Sequence, residues 1–238
     1  MSALSPDEIR RYARHIVLRG VGGDGQQKLR AARVLVVGAG GLGSPAIAYL
    51  AAAGIGTLGA VDHDTVSLSN LQRQVIHRTD GIGLKKVDSA GAFVSGLNDR
   101  VTFVAHAERI GPDNAPGLMS GYDLVLDGTD NFGTRAVVAA AARAAGLPLV
   151  SGAVSMFDGQ VTVFVPGGPQ FSDLYPDTPD EADLPACEVV GVLGAVTGVI
   201  GTLMAMEAIK LVTGVGEPLI GRLLLYDGRA ARFTELGY

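Results

Sequence analysis

The stretch Val34–Gln74, VLVVGAGGLGSPAIAYLAAAGIGTLGAVDHDTVSLSNLQRQ, decides the fold. Val34-Leu35-Val36-Val37 is a short uninterrupted apolar run, the pattern of a parallel strand buried on both faces. Gly38, Gly40 and Gly43 follow at dinucleotide-fold spacing, with Gly41 between them, and open an Ala- and Leu-rich helix over 44–53. A second strand, 57–61, ends on Asp62. In such a unit backbone N–H groups and the helix N-terminus face an anion, while the acidic residue reaches a ribose hydroxyl. The motif defines a nucleotide site without saying which nucleotide; a structural Gly-rich turn is the alternative.

Working outward, polar Ser69–Gln74 lies past the C-terminal end of the second strand, where ligands bind in open α/β sheets. The next helix, over 84–97, begins with Lys85-Lys86, cations placed against the helix dipole unless an anion compensates. They read equally as two solvated lysines or as one solvated lysine and one phosphate ligand. Strands follow over 101–105 and 123–126, the second running into Asp127-Gly128-Thr129-Asp130-Asn131 and a helix over 134–145. Two aspartates beside a phosphate site suit Mg²⁺, while an Asp or Asn before a helix also serves as an N-cap. A fifth strand, 149–152, ends the βα alternation. Beyond it, strand-like segments over 159–165, 222–227 and 232–236 and a helix over 191–212 predict an antiparallel extension. The fold class is therefore α/β, a Rossmann-like doubly wound sheet with an antiparallel C-terminal part.

Before the first strand, Ser5-Pro6-Asp7-Glu8 starts a helix. Ile9, Tyr12 and Ile16 share one of its faces; Gly20 to Gly25 is expected to break it, and a short helix covers 26–30. Such an arm packs on another part of the chain or on a second subunit. The 238 residues carry 19 Lys plus Arg against 24 Asp plus Glu, a net charge of -5 that provides no basic field for nucleic acid. A single cysteine, Cys187, excludes an internal disulfide and fits a reducing cytoplasm. Val189 to Met206 is uncharged, near the lower limit for a membrane span. With Gly191, Gly194, Gly198 and Gly201 inside it and no basic or aromatic flanks, it reads as a buried helix packed through its glycines.

Taken together, RYARHIVL (11–18), VLVVGAGGLGSP (34–45), SNLQRQV (69–75), GLKK (83–86), DGTDNFGTR (127–135), GQVTVF (159–164), GVLGAVTGVIGTLMAMEAIK (191–210) and RLLLYD (222–227) span the chain in order. They resemble the family that activates ubiquitin-like proteins, in its bacterial form. These are adenylyltransferases of the MoeB and ThiF type, acting on small sulfur carriers of molybdopterin and thiamin synthesis. The resemblance implies one adenylation domain over 1–238: a helical arm (1–30), a nucleotide-binding part (31–152) and an antiparallel, partner-binding part (153–238). It implies ATP and Mg²⁺, a carrier protein ending in Gly-Gly, and a homodimer. By the same resemblance Asp62 holds the ribose, and Gly41 lets backbone approach the nucleotide. Asn70, Arg73 and Lys86 contact phosphates, with Gly38, Gly40, Gly43 and Asn131 also in the nucleotide site. Asp130 ligates Mg²⁺, and Arg14 reaches over from the second subunit.

Three departures carry expectations of their own. Family members with a structural zinc use two CxxC pairs, the first reading like PCYRCLFP; here the stretch is Pro169-Gln170-Phe171-Ser172-Asp173-Leu174-Tyr175-Pro176. No zinc is expected from one cysteine. His15 replaces the usual Gln after Arg14. Cys187, in LPACEVVG, stands near the family's Cys-x-x-x-Gly pattern, either as an acceptor of the activated group or as a small apolar filler. No rhodanese-like segment accompanies the domain, so the sulfur donor is expected to be a separate protein. Two other classes remain open: a nicotinamide-dependent oxidoreductase built on the same βαβ unit, and a non-catalytic partner-binding protein. Neither nucleic acid nor membrane is expected as a partner.

Overall fold

Val34 and Val36 point to one side of a central strand and Leu35 and Val37 to the other, and all four are buried. That alternation in a continuous apolar run requires layers on both faces of the sheet. The computed structural model, which describes residues 3–176 and 191–238, shows those layers. In chain order its helices are α1 (Pro6–Arg11), α2 (Ala13–Ile16), α3 (Gly22–Ala31), α4 (Gly43–Ala53), α5 (Lys86–Leu97), α6 (Ala115–Met119), α7 (Phe132–Ala144), α8 (Phe171–Leu174) and α9 (Gly194–Thr213). The strands are β1 (Arg33–Val37), β2 (Thr57–Val61), β3 (Thr102–His106), β4 (Leu124–Asp127), β5 (Leu149–Ser155), β6 (Asp158–Phe164), β7 (Arg222–Asp227) and β8 (Arg232–Gly237).

They form one sheet in the order β3-β2-β1-β4-β5-β6-β7-β8. Pairing is parallel from β3 to β5 and antiparallel from β5 to β8. The expected fold class is what the chain adopts. The order reverses between β1 and β4, where Val37 is in register with Asp127. A crevice opens at such a switch point, beyond the carboxyl ends of the strands. One core cluster packs α3, α4, α5 and α9 on one face, through Leu29, Leu50, Val94 and Met204. The other packs α6 and α7 on the opposite face, through Met119 and Val138.

Strand and helix limits agree with the sequence to within a few residues, and three readings need correction. The arm does break before its second helix, with Gly20 at φ +96°, but the break is shorter than expected: α3 starts at Gly22 rather than Gln26. Its fully buried Gln26 and Leu29 explain this, because Gln26 Nε2 donates to Ala53 O at 2.8 Å and tertiary contacts outweigh local propensity. Ile9 is half exposed rather than on a buried face. Buried Tyr12 anchors the arm on its own chain, accepting from Asn98 Nδ2 at 2.9 Å and lying where a side chain at Gly54 would sit, and Arg11 adds a hydrogen bond to Leu97 O. The five-residue α6 has no forecast in the pattern.

α9 begins at Gly194 rather than Gly191, and two of the four glycines do the packing. A Cβ on Gly201 would stand 2.3 Å from Leu42 O, and one on Gly194 2.3 Å from Gln72 O. Gly198 meets nothing within 4 Å, and Gly191 precedes the helix with φ +77°. By length and composition α9 could cross a membrane; here Val196, Ile200, Met204 and Ala208 belong to the core.

Candidate functional site

The turn after β1 is built by close backbone approach. A Cβ on Gly43 would lie 1.8 Å from Gly38 O, and Gly38 has φ +91°, so neither position admits a side chain without rebuilding the turn. Gly38 also sits against Gly128 at the tip of β4, which closes the switch point. Ala39 pins the loop from both sides. Its N–H donates to Asp62 Oδ2 at 2.9 Å, and its carbonyl accepts from His77 Nε2 at 3.0 Å. Because a carbonyl can only accept, His77 carries its proton on Nε2, leaving Nδ1 to accept from Ser89 Oγ at 2.9 Å. Burial holds the His77 pKa below its ordinary value and keeps the ring neutral; Ala39 O and Asp62 oppose this, and Lys86 adds to it.

Asp62 ends β2 with both oxygens engaged, since Oδ1 accepts from Asp64 N at 2.9 Å. Asp64, two residues further, accepts from Lys86 Nζ at 2.8 Å. Burial pushes the Asp64 carboxyl up, but the Lys86 hydrogen bond and charge, helped by His63 and Lys85, hold it below the usual range. The two lysines therefore part ways. Lys86, 6% exposed, faces the crevice as the first residue of α5. Lys85 is exposed and donates to His63 O.

Asn70 and Arg73 come from the turn after β2, Asn70 Oδ1 accepting from Ser67 N and Arg73 donating to Ser69 O at 3.2 Å. From the tip of β4, Asp130 presents an exposed carboxylate to the same cavity. Asn131 also borders it, with its side-chain oxygen capping α7 at Thr134 N, 2.8 Å away. Asp127 does not join Asp130 at the surface. It is buried and accepts from Thr129 and Ser151, and burial raises its pKa against the Arg135 charge and those hydrogen bonds. One aspartate, not two, is available to a cation at this strand end.

Thus Gly38, Gly40, Gly41, Asp62, Asn70, Arg73, Lys86, Asp130 and Asn131 all border one cavity. Gly43 stands just behind it in the helix start. Arg14 is exposed on α2 and does not border the cavity of its own chain. Cys187 lies outside the described residues.

Residues of the cavity to which the sequence assigns no role include Asp64, Gln74, Arg109, Arg135 and Thr197. Gln74 is 3% exposed and its Oε1 has no hydrogen-bond partner, an orphan acceptor in the wall of a polar crevice. It stood inside the SNLQRQ motif, which was its only signal. Thr197 packs where a Cβ on Gly41 would come within 3.1 Å, and nothing in an apolar run marks such a threonine. A bare glycine loop, an uncapped α4 N-terminus and cations are a donor set that fits a nucleoside phosphate. One carboxylate beside it fits Mg²⁺, which binds through one or two carboxylates plus phosphates.

Fold and crevice define a Rossmann-type protein with an anion-compatible site at the β1/β4 switch point. The chain belongs to the ThiF family, whose profile matches residues 12–237. It is 49% identical over 231 residues to the probable adenylyltransferase/sulfurtransferase MoeZ of Mycobacterium tuberculosis, covering 95% of this chain and 59% of that protein. It is 46% identical over 236 residues to the SAMP-activating enzyme E1 of Haloferax volcanii, covering 99% of this chain and 87% of that one. With the adenylyltransferase and sulfurtransferase MOCS3 of Aedes aegypti the identity is 44%, over 99% of this chain and 54% of MOCS3. The chain thus spans little more than half the length of MoeZ and MOCS3. Crystal structures of PaaA (TM-score 0.85, 23% identity, 100% of this chain and 75% of that one) and of E. coli MccB (0.85, 19%, 98% and 71%) share its fold.

Proposed function

We propose that the protein adenylylates the C-terminal glycine carboxylate of a small ubiquitin-like sulfur-carrier protein, with ATP as the second substrate and pyrophosphate as the leaving group. One observation carries the reading. Asn70, Arg73, Lys86 and Asp130 come from three separate strand or helix ends and converge on the cavity beside the glycine loop. A nicotinamide-dependent oxidoreductase uses the glycine loop and Asp62 but has no work for those four residues. The names of the relatives, adenylyltransferases and a SAMP-activating enzyme, support the same reading.

The nucleophile is already an anion, so no general base is required. The work is to bring a carboxylate to the α-phosphorus and to stabilise charge on the departing pyrophosphate, which preorganised cations do best in a crevice that excludes water. Lys86, fixed by Asp64, and Arg73 supply that charge; Asp62 orients the ribose; Gly41 admits the phosphate chain. Asp130 would hold Mg²⁺, which screens the phosphate charges when bound. Arg14, exposed and remote from its own cavity, is supplied to the site of the second subunit of a homodimer. Residues 1–238 act as one adenylation domain, in the cytoplasm, in molybdopterin, thiamin or a related sulfur-transfer route.

We also propose that the chain holds no structural zinc in the loop after β6. The two cysteine positions of the PCYRCLFP pattern fall on Gln170 and Asp173, and Asp173 Oδ2 accepts from Gln170 N at 2.7 Å. An amide and a carboxylate there leave no thiolate for zinc, while the neighbouring Phe171 and Tyr175 pack on each other and on Phe132 of α7, with Phe171–Tyr175 ring centroids 4.8 Å apart.

The test is chemical trapping. With MgATP and a carrier ending in Gly-Gly, mass spectrometry should find the carrier heavier by one AMP at its C-terminus. A carrier that gains nothing, or AMP transfer to a free amino acid instead, contradicts the proposal.

A further inference from the structure

Thr129 is held from both sides. Its N–H and its Oγ1 donate to Asp127 Oδ1 at 3.0 and 2.7 Å, and its carbonyl oxygen accepts from the Arg135 guanidinium at 2.8 Å. Asp127 is itself buried, and its second oxygen accepts from Ser151 Oγ on β5 at 3.3 Å. Arg135 rises from the start of α7, a turn that Phe132 ties to Phe171 and Tyr175 at centroid distances of 5.4 and 5.3 Å. The gripped carbonyl belongs to the same planar peptide unit as the N–H of Asp130, so fixing it fixes the plane from which the Asp130 side chain departs.

We propose that Asp127 and Arg135 are positioning residues that lock the Thr129–Asp130 peptide, so that the Asp130 carboxylate is aimed at a metal-bound nucleotide without either residue touching that nucleotide. The inference rests on the nucleotide reading given above and says which residues make it work. Mg²⁺ demands near-octahedral geometry and tolerates misplaced ligands poorly. A carboxylate on a free loop would pay to be ordered at each binding event, and the grip removes that cost in advance. Arg135 borders the cavity and by charge alone would pass for a phosphate ligand. Its hydrogen bond to Thr129 O and the buried Asp127 carboxylate nearby commit it to the loop instead.

Calorimetric titration of ATP into the full chain, once with EDTA and once with Mn²⁺, tests this, with electron paramagnetic resonance counting the Mn²⁺ held at the nucleotide. Arg135→Met and Thr129→Val should each weaken ATP binding about tenfold in Mn²⁺, the scale on which outer-shell partners act, while metal-free binding stays within about twofold. Arg135→Lys, still able to donate to Thr129 O, should recover most of the loss. Equal loss with and without metal would make Arg135 a direct phosphate ligand and overturn the inference, as would no loss in either. Should Arg135→Met fail to fold, Thr129→Val, which removes a single hydroxyl, decides alone. Wild-type protein that gains nothing from Mn²⁺ refutes the metal assignment of Asp130, and the inference falls with it; wild type that gains while the variants behave normally refutes the inference only.

Discussion

At the exits of β1, β2 and β4 the chain turns through bare glycines, an aspartate or a polar loop, whereas short hairpins join β5 to β6 and β7 to β8 and packed rings line β6, β7 and β8. Parallel strands deliver their carboxyl ends, and the helix N-termini that follow, to one edge of the sheet, so charged groups from distant parts of the sequence meet there. Antiparallel strands alternate their ends and gather nothing. Their contribution is rigidity: Gly152 and Gly159 lack side chains where Met204 and Ile200 of α9 press on the sheet. One region gathers polar groups into a shared crevice, the other packs its inner face on α9, and perturbing each should produce a different kind of failure.

The largest effect is expected at the parallel end. Asp130→Ala should reduce carrier-dependent ATP–pyrophosphate exchange by at least about a hundredfold, with melting temperature unchanged because the side chain is exposed. Wild-type exchange in that variant removes Asp130 from the mechanism. Lys86→Met should also cost about a hundredfold, and it should destabilise too, since Asp64 loses its buried partner.

Assembly sharpens the contrast further. An Arg14→Ala subunit and an Asp130→Ala subunit, each inactive as a homodimer, should give heterodimers with roughly half of wild-type activity, because one shared site carries both defects and the other neither. Inactive heterodimers would place Arg14 in its own subunit's site. At the antiparallel end the sign of the experiment changes. Phe171→Ala should lower unfolding stability by about 2 kcal/mol, less than a fully buried phenylalanine costs. Prolonged dialysis against a chelator should leave the melting temperature where it was; a fall reversed by added zinc contradicts the proposal that the chain holds no structural zinc.

The smallest effect is the pH dependence at His77. Its folded pKa lies below its ordinary value of 6.5, so in acid the unfolded chain binds a proton that the folded chain refuses. Its share of stability is complete above about pH 7 and declines as the pH falls through the unfolded value toward the folded one. In urea titrations from pH 7.5 to about pH 5.5, His77→Asn should show a shallower decline than wild type. Identical slopes would mean that the ring is not held neutral against Ala39.

The parallel half of this contrast was legible in residues. Gly38 and Gly43 announce their geometry because no side chain fits there, the spacing of Gly40 and Asp62 completes the motif, and the apolar run 34–37 with its alternating burial set the layers. Lys85 and Lys86 could not be separated on sequence, since which one turns inward depends on Asp64 meeting Lys86 across the crevice. Asp127 and Asp130 looked equivalent for a similar reason: burial by β5, far along the chain, silences the first. The glycines of α3 misled because Gln26 gains its partner from α4, and no window of local sequence contains both.

Exchange of labelled pyrophosphate into ATP tests the adenylyltransferase assignment most directly. The purified protein should catalyse it only when a small ubiquitin-like protein with a C-terminal Gly-Gly is present, and removal of that Gly-Gly should silence it. Exchange driven by free amino acids, or no exchange with any Gly-Gly carrier tried, would contradict the assignment.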